Sequence, residues 1–599
     1  MSKQKSSEGM GAIPCKNGVG FRVWAPNADK VYVQGTFNKW SKRHPLKEEE
    51  NGYWYTNASK AKIGDEYKFL IVNGENELER IDPYARNVTS SVGNGIVEQD
   101  DFDWGKDQDF QMPPWNELVI YEMHIGTFNN PTPDTPGDFQ NAIDKLFHLE
   151  ELGINAIQIM PPLEFPGGFS WGYNPAHPFA IESDYGGPRA LKRLIKAAHA
   201  SGIAVLVDVV YNHFGPSDLD LWQFDGWQEN GKGGIYFYND WRAETPWGAT
   251  RPDYGRPEVR QYIRDNVMMW LHEYHVDGLR WDATSYIRNV FGNDNDPSSD
   301  ISEGWSLMQW INEEIQSHNP ATLSIAEDLQ GNDWVTKETG AGGAGFGAQW
   351  ASEFVHTIRE AMIVPDDAMR NVHSVAGALS SNYNGSPFER VIYTESHDEV
   401  ANGSARLPEE IYSGQADSWF SKKRSTLGAA LVFTAPGIPM IFQGQEFLED
   451  EWFRDKDPLD WSKTEKFSGI LDLYTELIRL RRNLNETTKG LTGSHIEVMH
   501  QNNESKVLVY HRWHNGGPTD STVVVANLSN MQFDSYPIEL PNEGDWYVRF
   551  NSDAKIYDDE FSNVGDPQLN AERSGEDGSF YSGSIALGPY SVVILSQES

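Results

Sequence analysis

Residues 276–283 read VDGLRWDA, an arginine two positions before an aspartate at the end of an apolar run. The pattern recurs. IAVLVDVVYNH (203–213) ends in Asp208 and His213, LSIAE (323–327) in Glu327, and RVIYTESHD (390–398) in His397 and Asp398. Charge at the end of a hydrophobic strand is costly unless it is paired, hydrogen-bonded or used. A single aspartate there could cap a helix or meet a base. Three or more carboxyls, two histidines and an arginine on four such ends point instead to a reaction. With no evident metal cluster beside them, glycoside chemistry fits: one carboxylate attacks, another donates and accepts the proton, and the sugar passes through an oxocarbenium-like transition state. Retention of configuration would place those two carboxyls ~5–5.5 Å apart. Arg280 shares a strand face with Asp282, because residues i and i+2 project alike. Its guanidinium is expected to hold that carboxylate ionised near neutral pH. The pair is expected near the solvent-facing rim, where the charges are cheapest to keep.

Such groups need a rigid frame. In the middle of the chain, short apolar runs alternate with helical patterns: VIYEMHIG (119–126), INAIQIMP (154–161), the four runs already quoted, and IPMIFQG (438–444). Between them lie segments such as RPEVRQYIRDNVMMWLHEYH, with apolar residues at helical spacing. Alternation of this kind argues for parallel βα units. Seven strands are clear and GAQWA (347–351) is a weaker eighth, so the expected frame is a (β/α)8 TIM barrel. Catalytic groups in such barrels sit at the carboxyl ends of the strands, where the charges here gather. Alternating short runs bounded by Gly, Asn and Pro predict an antiparallel β-sandwich domain over 12–100, and the same grammar returns over 489–599. Residues 101–115, DFDWGKDQDFQMPPW, read as a linker, leaving 116–488 for the barrel.

Bulk composition narrows the partners. The 599 residues carry 88 acidic against 49 basic side chains, a net charge of −39. That field repels phosphate backbones and anionic lipid, so neither nucleic acid nor membrane is an expected partner. The acidity itself reads as solubility, or tolerance of salt. Cys15 is the only cysteine, which rules out an intrachain disulfide and a cysteine-based zinc site. No apolar stretch is long enough to span a bilayer, and MSKQKSSEGM lacks a signal core. A cytoplasmic monomer is expected.

The motifs DVVYNH (208–213), GLRWDA (278–283), IAED (325–328) and TESHDE (394–399) resemble, in order, the four signature regions of glycoside hydrolase family 13, the α-amylase family. The resemblance implies that Asp282 is the nucleophile, Glu327 the acid/base and Asp398 the transition-state stabiliser. It further implies that His213 and His397 bind sugar hydroxyls, that Tyr173 in SWGYNPAH stacks on the cleaved sugar, and that Asp208 orients Arg280. No cofactor is implied. Asn212 matches a calcium ligand of many amylases but has no legible companions, and reads as structural. FRVWAPNADKVYVQGTFNKW resembles a family-48 carbohydrate-binding module, in which Trp40 and Trp54 either stack on glucan rings or fill the core. Within the family, SHDEV, GQEFLEDEW and the AED of IAED resemble branching enzymes, whereas VVYNHFGP and SDYGGPRALKRLI look more like trehalohydrolases. The expected substrate is an α-1,4-glucan such as glycogen, starch or maltooligosaccharide. The expected reaction is chain transfer to a 6-hydroxyl. Hydrolysis is the alternative, and a non-catalytic glucan-binding scaffold a remoter one. The Trp-rich insert 217–241 is either a glucan contact or an aromatic-packed loop.

Overall fold

A computed structural model describes residues 9–132, 134–574 and 580–597. Eight parallel strands close a barrel in chain order: Ile120–Met123, Ala156–Ile159, Ala204–Val209, Gly278–Trp281, Leu323–Ala326, Ala348–Trp350, Arg390–Ile392 and Ile438–Phe442. The ring is sealed where Tyr121 of the first strand stands opposite both Ile157 of the second and Ile441 of the eighth. GAQWA does supply the sixth strand, Ala348–Trp350, paired with the fifth and the seventh.

Period-two alternation explains how the interior is filled. Ile120, Leu206 and Ile325 belong to an apolar cluster with Ala156, Ala204, Val391 and Met440. Two residues further along the same strands come Glu122, Asp208 and Glu327. The barrel is therefore apolar below and charged towards the carboxyl ends of its strands, the end at which such barrels carry their chemistry. Gly278 sits where strands crowd. A Cβ there would lie 2.4 Å from the Leu323 carbonyl oxygen and 2.6 Å from Leu206 Cδ2, so a larger residue would force the fourth strand outwards.

Two antiparallel sheets precede the barrel. One contains Gly18–Trp24 and Tyr53–Ala58, the other Lys30–Gly35 and Glu66–Asn73. Trp54 is buried and its Nε1 donates to the Ala25 carbonyl at 3.0 Å, so it is a core residue; Trp40 is exposed. The stretch expected as a linker is pinned to the barrel. Asp107 meets His199 Nδ1 and His275 Nδ1, both at 2.7 Å, Phe110 stacks on His199, and Trp104 stacks on His275. The insert 217–241 is mostly packed: Phe224, Tyr236 and Phe237 are buried, Asn27 of the first domain donates to Asp225 at 2.9 Å, and Trp241 is exposed.

The last β domain is an eight-stranded antiparallel path beginning at His495–Asn502. It covers the helix Trp419–Thr434, in which Ser421 to Thr434 are all buried. Lys423 Nζ reaches Asp553 of this domain at 2.7 Å with both side chains fully buried, and Lys422 pairs with Asp558 at 2.7 Å. Among the described residues no helix is long and apolar enough to cross a membrane.

Candidate active site

A cleft of about 670 Å³ opens at the carboxyl ends of the strands. Tyr173, His213, Asp282, Glu327, His397 and Asp398 line it. A larger cavity, about 1060 Å³, lies between the first β domain and the helix Pro257–His272, and contains none of these residues.

Arg280 is the centre of the arrangement, and it is 0% exposed. The expectation that its pairing occurs at the rim is therefore wrong: the fourth strand carries Arg280 inward, beneath the cleft floor. Its cost is offset by contacts at its two terminal nitrogens, while Nε has no hydrogen-bond partner among the described residues. Nη1 donates to Asp208 Oδ2 at 2.8 Å, to Asp282 Oδ1 at 3.3 Å and to the Tyr173 hydroxyl at 3.1 Å. Nη2 lies 2.7 Å from Glu327 Oε2, an ion pair whose N–H is not aligned for a hydrogen bond. The guanidinium also sits 4.2 Å from the Trp350 ring centre, a cation–π contact in a desolvated site. Asp208 is fixed in turn by the Tyr173 hydroxyl, which donates at 2.5 Å. Burial, only partly offset by Arg280, pushes Asp208 up to about 6.

One cation shared among three carboxylates cannot hold each of them fully ionised. Burial raises the Asp282 pKa above the ordinary aspartate value, while Arg280 beside it pulls the other way, in the direction expected of it. One further donor assists: Asn212 Nδ2 donates to Asp282 Oδ2 at 2.7 Å. Glu327 is itself pushed up to about 7, by burial first and then by the charges of Asp282 and Asp398 against the pull of Arg280. Burial and the neighbouring carboxylates thus favour the protonated form of Glu327.

The surrounding backbone serves the same pair. Ala283 adopts a left-handed conformation (φ 40°) directly after Asp282, a strained state for a residue with a side chain. Its N–H donates to Glu327 Oε2 at 2.9 Å. Asp398 stands exposed at the mouth, where Asn402 Nδ2 donates to its Oδ1 at 3.1 Å. His213 is 1% exposed and neutral near pH 7, burial having driven it down to about 4. Its ring lies under Trp247, centroids 4.6 Å apart, and its Nδ1 faces Asn212 Oδ1. The Tyr173 ring stacks on His397 at 4.9 Å.

Three groups escaped the sequence reading. Asn212, read as structural, holds Asp282. Trp247, 42% exposed, forms part of the cleft wall beyond the insert, in a stretch with no periodicity to mark it. Glu122 lies fully buried in the first strand and binds His397. The signal for Glu122 was present, since it follows the inward-facing Ile120 by two, the same spacing that singled out Arg280 and Asp282. Among the described residues no group of three or more His, Cys, Asp or Glu is arranged to hold a metal ion.

Residues 123–472 match the family profile "Alpha amylase, catalytic domain", 9–85 match "Carbohydrate-binding module 48 (Isoamylase N-terminal domain)", and 498–598 match "Alpha amylase, C-terminal all-beta domain". The 1,4-alpha-glucan branching enzyme GlgB of Salinibacter ruber is 29% identical, over 98% of this chain and 96% of that protein. GlgB of Corynebacterium jeikeium is 30% identical, over 95% of this chain and 80% of its own length. Among solved structures, the type I pullulanase of Bacillus subtilis with maltose superposes with a TM-score of 0.75 at 21% identity, covering 99% of this chain and 86% of that one. An Anoxybacillus pullulanase with maltotetraose gives 0.74 at 21%, covering 99% and 88%. At that identity the likeness is one of fold.

Proposed function

Because the chain belongs to the α-amylase family, whose catalytic-domain profile spans more than half of it, we propose that it is a 1,4-α-glucan branching enzyme. The observation that carries this reading is the near full-length likeness to branching enzymes, over 95% of the chain at 30% identity in one case. The cleft can perform the chemistry. Asp282 attacks C1 of a glucosyl unit while Glu327, protonated because of its raised pKa, gives its proton to the departing 4-oxygen. The chain is then held as a glycosyl ester on Asp282. Glu327, now ionised, takes the proton of an incoming 6-hydroxyl, whose oxygen attacks C1 and releases Asp282. Both acids touch one guanidinium, Asp282 at 3.3 Å and Glu327 at 2.7 Å, and that closeness supports a retaining course. Inversion would need them ~6.5–9.5 Å apart, with a water between. Asp398 lines the mouth of the same cleft, where its carboxylate is available to the developing oxocarbenium ion, and Tyr173 and His397 line the cleft with it.

Incubation with amylose tests the assignment. Anomeric NMR signals of α-1,6 bonds, a falling iodine colour and few new reducing ends are expected. Abundant reducing ends without branch signals would identify a hydrolase and overturn transfer. Asp282→Asn should lose ~10³-fold or more of the turnover while its circular dichroism is unchanged.

A further inference from the structure

Glu122 is a fully buried carboxylate that the reaction as described does not use. Its Oε1 lies 2.6 Å from His397 Nδ1, and its Oε2 accepts from the backbone N–H of the same residue at 2.9 Å. A buried carboxylate is costly unless a positive charge or several donors answer it. Arg280, the cation at the centre of the cleft floor, is engaged by Asp208, Asp282 and Glu327. The partner left for Glu122 is the His397 ring.

We propose that Glu122 is a positioning residue for His397: it fixes the ring with a proton on Nδ1, keeps the imidazole cationic, and so makes Nε2–H a donor to a glucosyl hydroxyl in the cleft. The backbone contact extends the effect, because it anchors residue 397 and with it the neighbouring Asp398. Among the described residues His397 Nε2 has no hydrogen-bond partner, while the ring lines the cleft with Tyr173 stacked on one face. The charged and titratable groups that face the ring are Glu122, Asp398 and Asp208, which favour its positive charge, Arg280 and His124, which oppose it, and the Tyr173 hydroxyl. Burial works against the cation, yet Glu122 outweighs it and the His397 pKa lies above the ordinary histidine value. A donor to a sugar hydroxyl gains strength as the oxocarbenium ion forms, so its loss should appear in kcat more than in KM.

The assignment of a sugar hydroxyl as the acceptor rests on the branching reading; the charge on the ring does not. Histidine-labelled full-length protein should show, by ¹⁵N NMR with the His397 signal identified through its loss in His397→Gln, both ring nitrogens protonated near pH 7 and a titration midpoint above ~6.5. Glu122→Gln, which keeps the shape, should bring that midpoint to ~6.5 or below and lower kcat on amylose by ~10- to 100-fold with KM changed less than ~3-fold. Glu122→Asp, which restores the charge, should recover part of both. An unchanged midpoint in Glu122→Gln, a neutral ring near pH 7 in the parent, or undiminished kcat in Glu122→Gln would overturn the proposal. The expected titrations in proteins that form no branches would uphold the charge assignment and sink the branching reading instead.

Discussion

Replacing Glu327 by glutamine should abolish turnover and yet stabilise the protein, increasingly so as the pH rises. The folded carboxyl holds its proton up to about 7, whereas the unfolded one releases it near the ordinary 4.5. The sign follows from linkage: the folded state binds the extra proton, so the stability present below the lower value is lost progressively as pH rises through the upper one. At ~1.4 kcal/mol per pH unit the full loss is ~3 kcal/mol, a value net of the Arg280 attraction. Glutamine does not titrate and can still accept from the Ala283 N–H. Its advantage over the parent should therefore be ~1 kcal/mol near pH 5.5 and ~3 kcal/mol near pH 8.5. Denaturation midpoints of the two proteins, compared side by side by tryptophan fluorescence at both pH values, measure it; the difference between the proteins matters, since a chain with three domains need not unfold in one step. An advantage that does not grow with pH, or no advantage at pH 8.5, would refute the view that burial raises this carboxyl. The case for Glu327 as a general acid would fall with it.

Turnover of the parent should decline as pH rises through about 7, because the general acid loses its proton there, and a pH profile of kcat/KM on amylose reads it directly. Asn212→Ala removes a donor from the Asp282 carboxylate and should lower kcat/KM by ~10- to 100-fold, the worth of one hydrogen bond to a charged group, with the melting temperature little altered. Lys423→Met strands Asp553 without its cation and should cost ~3–5 kcal/mol, seen as a lowered melting temperature and faster proteolysis at the seam between barrel and last domain.

Much of this was legible before folding. Strands in a parallel barrel are buried on both sides, so each showed as a short apolar run, and the charged residues ending them marked the cleft. The i, i+2 rule placed Arg280 on the face of Asp282. What it could not give was depth. Whether that face meets solvent or the sealed interior depends on how the eight strands tilt and close, and closure put Arg280 fully inside. Sharing was equally invisible. The contact of Arg280 with Glu327 spans two strands and divides one charge among three acids, and the burial that raises the Asp282 pKa was as hidden as the contact. Glu122 and His397, 275 residues apart in sequence, meet only across the closed ring. Trp247 belongs to a loop, where no period constrains a side chain.

The seam formed by the helix Trp419–Thr434 has a bearing on how the polypeptide is made. Asp553, which neutralises Lys423, lies 130 residues downstream of it, so on the ribosome the lysine waits for its counter-ion until most of the last domain has been synthesised. A nascent barrel with all eight strands already translated still carries this helix with Lys422 and Lys423 waiting for their carboxylates. Docking of the last domain is thus a late event in biosynthesis, and the interval before it is when chaperones and proteases have their opportunity.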